Sequence, residues 1–102
     1  MERQGVSLIV ADISVIPLVG GTSVSPIVKK CVMAMEARGL KVMPGPMSTS
    51  FEAHTLDEIL GAVKAAHEAA LATGARRVVT TVKIDDRKDK EQSMASKVDA
   101  LR

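Results

Sequence analysis

The chain has no tryptophan, no tyrosine and a single phenylalanine, Phe51. Proteins that hold single-stranded nucleic acid stack its bases on aromatic side chains, and that mode of binding has no platform here. Nor is there an excess of one charge. The 14 Lys and Arg against 12 Asp and Glu leave a formal +2, and the basic residues are scattered rather than gathered into a stripe that could follow a phosphate backbone. Nucleic acid is therefore not expected as a partner. One cysteine, Cys31, excludes an internal disulfide and is consistent with a reducing, cytoplasmic setting. The two histidines, His54 and His67, form no cluster with metal-ligand spacing, so neither a metal nor another cofactor is expected. The apolar stretch from Val6 to Val19 is interrupted by Asp12, preceded by one basic residue, Arg3, and followed by no small-residue cleavage site. It reads as a strand, not a signal peptide, and no membrane partner is expected.

What is present is the balance of an ordinary globular protein, 46% apolar and 25% charged over 102 residues. That length suits one domain, taken as 1–102, since a second core would lack buried surface. Residues 7–16 are rich in β-branched side chains and end at Pro17, which predicts a first strand. Alternation places Ile9, Ala11, Ile13 and Val15 on one face and Leu8, Val10, Asp12, Ser14 and Ile16 on the other. Ser25-Pro26 predicts a helix start with Ser25 as the cap, running to about Arg38 and stopped by Gly39. Its apolar members are Val24, Ile27, Val28, Cys31 and Met35.

Segments 40–43 and 48–53 flank Pro44-Gly45-Pro46 and read as two short strands of a hairpin. Thr55-Leu-Asp-Glu58 has capping-box form, and the helix it opens is expected to reach Thr73 before Gly74. Leu56, Ile59, Leu60, Val63, His67, Ala70 and Leu71 make its apolar stripe. Residues 77–84 form the last strong strand. Asp89 and Gln92 are the candidate caps of a closing helix that carries Met94, Val98 and Leu101 on one side.

The fold class is thus α+β, a ferredoxin-like βαββαβ sandwich with an additional C-terminal helix. Two helices cover one sheet face. The other carries Leu8, Val10 and Ile16, too apolar to stand bare in water, so oligomerisation through the sheet is expected.

Several residues have chemistry to offer. The glycine-rich turn Val19-Gly-Gly-Thr-Ser-Val-Ser25 leads into a helix N-terminus, where Thr22, Ser23 and free amides can receive an anion or a polar ring substituent; the plainer reading is a loop with a capping serine, since it lacks the complete Walker spacing and its lysine. Asp12 and Ser14, polar groups among aliphatics, need partners, supplied by a ligand at a subunit interface, by solvent or by a second copy. Glu52 can accept from a cation or from the amino group of a pyrimidine edge. His67, on an apolar stripe, reads as a satisfied structural histidine, and Cys31 as a core packer. Asp85-Asp86-Arg87 reads as a salt-bridged strand end, with a ligand-facing cluster as the alternative. No Ser/His/Asp set and no paired carboxylates can be placed together, so no catalytic residues are assigned and the chain is expected not to be an enzyme.

Ile16-Pro-Leu18, Gly21-Thr-Ser-Val-Ser25, Pro46-Met47 with Thr49 and Glu52, His67-Glu-Ala69 and Val79-Thr-Thr-Val-Lys-Ile-Asp-Asp-Arg87 together resemble the small thiamine-binding protein family related to YkoF. The similarity covers nearly the whole chain. It departs at Ser48 and Ala53, where members often have glycine, and this alters the pocket floor. The resemblance implies a ferredoxin-like domain that assembles through its sheets into dimers or tetramers and binds thiamine or its hydroxymethylpyrimidine part without turning it over. On that reading Ser14, Thr49 and Glu52 bond the pyrimidine edge, Thr22 and Ser23 hold a hydroxyl or phosphate, and Leu8, Val10 and Phe51 line an apolar slot between subunits. The alternative is a self-assembling structural or regulatory module with no thiamine site.

Overall fold

In the computed structural model, which describes residues 7–18, 20 and 24–102, the elements run β1 (Ile9–Pro17), α1 (Ser25–Glu36), β2 (Lys41–Pro44), β3 (Thr49–Ala53), α2 (Leu56–Leu71), β4 (Val78–Asp85) and α3 (Met94–Asp99). The strands form one antiparallel sheet in the order β2-β3-β1-β4. This is the ferredoxin-like sandwich with a short C-terminal helix. The most apolar strand, β1, takes an inner place, where both its edges find partners.

Strand alternation builds the core. Ile9, Ala11 and Ile13 of β1 and Phe51 and Ala53 of β3 point to the helix side and are buried with Cys31 and Met35 of α1 and Ile59 of α2. Phe51 is 0% exposed. It therefore cannot line a slot with Leu8 and Val10, which alternate to the opposite face: the pleat separates β3 residues 49, 51 and 53 from 50 and 52.

The helices depart from expectation in detail. Val24, not Ser25, is the N-cap of α1, with no side-chain cap bond, and Ser25 is the first helical residue. Both α1 and α2 end about two residues early, in turns that lead to Gly39 (φ 82) and Gly74 (φ 96), left-handed positions that favour glycine. The Thr55–Glu58 capping box forms in full. The inward face of α2, however, is Ile59, Ala62, Ala66 and Ala70, while Leu56, Leu60 and Leu71 are exposed. Close approach of α1 and α2 puts the small side chains inside and the leucines on the flanks. The same closeness brings the Arg38 guanidinium across Gly61.

On the second sheet face the side chains stand in rows: Lys41, Glu52, Val10 and Asp85; then Met43, Ser50, Asp12 and Lys83; then Ser14 with Thr81; then Ile16 with Val79. This face is not bare along its length. α3 folds back over the first row, where the Met94 amide donates to Glu52 Oε1 at 2.7 Å and Lys97 Nζ meets Asp85 Oδ2 at 2.6 Å. Gln92 Nε2 donates to the Asp85 carbonyl, and the Leu8 amide donates to the Gln92 carbonyl. Ser93 caps α3 through a capping box with Ser96, so neither Asp89 nor Gln92 is the cap. Of the expected apolar side only Met94 is buried; Val98 and Leu101 are exposed. Among the described residues, no helix is long and apolar enough to cross a membrane.

Candidate functional site

β1 has nine residues and β3 five, so the β1–β3 ladder ends at Ile13↔Thr49 while β1 continues to Pro17. Beyond that pair the β2–β3 hairpin turns away through Gly45-Pro46-Met47-Ser48, closed by the Gly45 amide donating to the Ser48 carbonyl at 2.8 Å. A side chain at Gly45 would meet that carbonyl at 2.9 Å. The divergence leaves a cleft of about 670 Å³ between the end of β1, the hairpin tip and the first turns of α1. This lies in the ordinary range for a site that takes a vitamin-sized ligand.

Ile13, Val15, Val24, Val28, Val32, Pro46 and Met47 give the cleft apolar walls. Ser14, Ser25, Ser48 and Thr49 are the uncharged polar residues of its lining, and Lys29 stands among them as a cation. On the hairpin side the backbone of residues 14–16 has passed the last ladder pair, which leaves an edge suited to a planar ring that carries both donors and acceptors. Ser48 Oγ donates to Asp12 Oδ1 at 2.6 Å, pinning the base of the hairpin to β1. Asp12 thereby finds its partner within the chain, in the Ser48 hydroxyl.

Of the five residues assigned to ligand, Ser14 and Thr49 both line this cleft. Glu52 does not; it lies on the opposite sheet face from Thr49 and accepts from the Met94 amide. Thr22 and Ser23 lie outside the described residues. Val28, Lys29, Val32 and Ser48 were not picked out as site residues from the sequence. The legible signal was Val24, Val28 and Val32 at intervals of four, a second apolar stripe on α1 beside the core-facing Cys31 and Met35.

The remaining candidates are accounted for by structure. His67 Nδ1 is bonded to Thr80 Oγ1 at 2.7 Å. Cys31 is buried, and burial pushes its thiol pKa up. Asp85, Asp86 and Arg87 form a salt-bridged strand end with Lys97, Lys88 and Asp89. The hydrogen bond from Lys97 lowers the Asp85 pKa, and the Arg87 guanidinium holds Asp89 down at about 2. Among the described residues, no group of three or more His, Cys, Asp or Glu could hold a metal ion.

The Glu52–Met94 bond ties α3 to the sheet and has a measurable consequence. Glu52→Ala is expected to cost about 1–2 kcal/mol and to speed hydrogen exchange at the Met94 and Lys97 amides, whereas Glu52→Gln keeps an acceptor and restores most of the protection. Unchanged exchange in Glu52→Ala would mean that the carboxylate does not hold the helix.

Comparison with known proteins places these features among relatives. Residues 11–102 match the model of a family described as thiamine-binding protein. A UPF0045 protein of Methanothermobacter thermautotrophicus is 43% identical over 96 residues, covering 93% of this chain and 97% of that one. A crystal structure of a Methanocaldococcus jannaschii protein, 45% identical, superposes with a TM-score of 0.85 over 92% of this chain and 95% of its own. A putative thiamine biosynthesis/salvage protein of Thermotoga maritima, 24% identical, shares the fold with a TM-score of 0.77, over 93% of this chain and 99% of its own.

Proposed function

The chain belongs to the thiamine-binding protein family, and from that premise we propose that it binds thiamine or its hydroxymethylpyrimidine moiety, without catalysis, in the cleft between β1, α1 and the hairpin. The observation that carries this reading is the early end of the β1–β3 ladder, which sets Ser14, Thr49 and the passed-over edge of β1 around one apolar slot. An aminopyrimidine needs that combination, with donors and acceptors along one ring edge and apolar contact on both ring faces. Val15 and Val28 serve one ring face, and the exposed Met47 thioether, a soft group that packs well on aromatic rings, serves the other.

Copies of the chain meet, on this reading, through the part of the second sheet face that α3 leaves open, where Ile16 and Val79 are exposed side by side. Val10 sits in the row beneath α3 and is not the residue to probe for assembly. Residues 1–102 act as one domain.

The test is calorimetric titration with thiamine and with hydroxymethylpyrimidine, at a protein concentration whose oligomeric state has been fixed by sedimentation. Saturable binding is expected, with Thr49→Val, which keeps the shape and removes the hydroxyl, weaker by about ten-fold. No heat with either ligand would overturn the reading and favour the self-assembling module.

A further inference from the structure

We infer that the ligand selected by this cleft carries a phosphate, and that Lys29 selects it. The inference rests on the reading of the cleft as the ligand site and adds the charge that the ligand must bear.

Among the described residues lining the cleft, Lys29 is the one charged side chain; the other polar side chains are hydroxyls, and there is no carboxylate. Asp12, a step behind the lining, is engaged by the Ser48 hydroxyl. The ion pairs among the described residues lie at Arg87–Asp89, Lys88–Asp86 and Lys97–Asp85, so none of them takes up Lys29. A permanently cationic ligand such as unmodified thiamine, with its thiazolium ring, is best met by a carboxylate or an aromatic face. Here it meets an ammonium group and aliphatic walls.

A phosphoryl group reverses the sign of that encounter. Ser25 and Lys29 are four residues apart on α1, hence on one face of the helix, and both line the cleft. A phosphate there would take a charge-assisted bond from Nζ and a second from Ser25 Oγ, at the positive end of a twelve-residue helix. The pyrimidine would then lie deeper, against Ser14 and Thr49, with the phosphate toward the α1 end.

Titration with thiamine, thiamine monophosphate and inorganic diphosphate, each on wild type and Lys29→Met, separates the outcomes. The monophosphate is expected to bind roughly ten-fold tighter than thiamine, with that ratio falling to near one in Lys29→Met. Lys29 is exposed, so the variant is expected to fold, and circular dichroism checks it. Equal or tighter binding of thiamine overturns the inference and leaves the proposed function standing. A ratio that survives in Lys29→Met overturns the assignment to Lys29. Inorganic diphosphate bound as tightly as the monophosphate would make this a phosphate site with no demand for the ring, and no binding by either vitamin form removes the proposed function itself.

Discussion

Phe51→Ala is expected to lower the free energy of unfolding by about 3–5 kcal/mol, the usual cost of removing a fully buried aromatic ring from a core that cannot collapse around the void. Phe51 is one of the largest fully buried side chains, together with Met35 and Ile59. It sits on β3 between the helix layer and β1, opposite Ala11 in the ladder and beside Val42 of β2, and Ala11 is too small to fill the space. Small domains are stable by about 5–15 kcal/mol, so the loss is about a fifth of the total or more. With no tryptophan or tyrosine to report by fluorescence, urea unfolding is followed by far-UV circular dichroism. Leu101→Ala, at an exposed position, serves as the control and is expected to stay within about 0.5 kcal/mol. A change below about 1 kcal/mol in Phe51→Ala would return the ring to the surface, where a ligand could reach it.

The order of elements was legible because its punctuation is local. The Thr55–Glu58 box, the left-handed glycines at 39 and 74 and Pro26 in the first turn of α1 each act over a few residues. Period-two alternation likewise assigned the faces of β1 correctly, residue by residue. What depended on tertiary distance was not legible. The leucines at 56, 60 and 71 mark a stripe by size, yet the approach of α1 selects Ala62, Ala66 and Ala70 for the inside. Nothing in residues 86–93 announces that the following helix lands on the sheet; the acceptor that receives it, Glu52, lies 42 positions back from Met94.

The site divides along the same line. Ser14 and Thr49 could be singled out as polar residues in apolar strands, but the cleft they share arises from a mismatch in strand length, which neither residue reveals. Pro44-Gly45-Pro46 was the available clue: two prolines that cannot donate to a ladder make a short β3 beside a long β1. Glu52, a carboxylate with no visible partner on its own strand, accepts from a backbone amide of α3, whose place on the sheet the sequence does not announce.

Val28→Trp is the variant that decides between these two locations. Val28 lies half-buried on α1, one turn beyond Val24, with its side chain in the cleft lining. An indole there occupies the slot meant for the pyrimidine, so thiamine binding is expected to fall more than about a hundred-fold, the loss of nearly all the apolar burial of a ring. Stability should change by less than about 1 kcal/mol, since the cleft has room for the new ring and the helix tolerates tryptophan. Val28→Ala, which leaves the slot open, should retain binding within a few-fold and shows that the helix position itself is not at fault. The indole also gives the chain a fluorophore within the cleft, whose emission should stay unchanged on addition of thiamine if the slot is filled. Undiminished affinity in Val28→Trp would remove the ligand from this cleft and send the search to the other sheet face, where Glu52 and the α3 that covers it would have to part before a pyrimidine could reach the carboxylate.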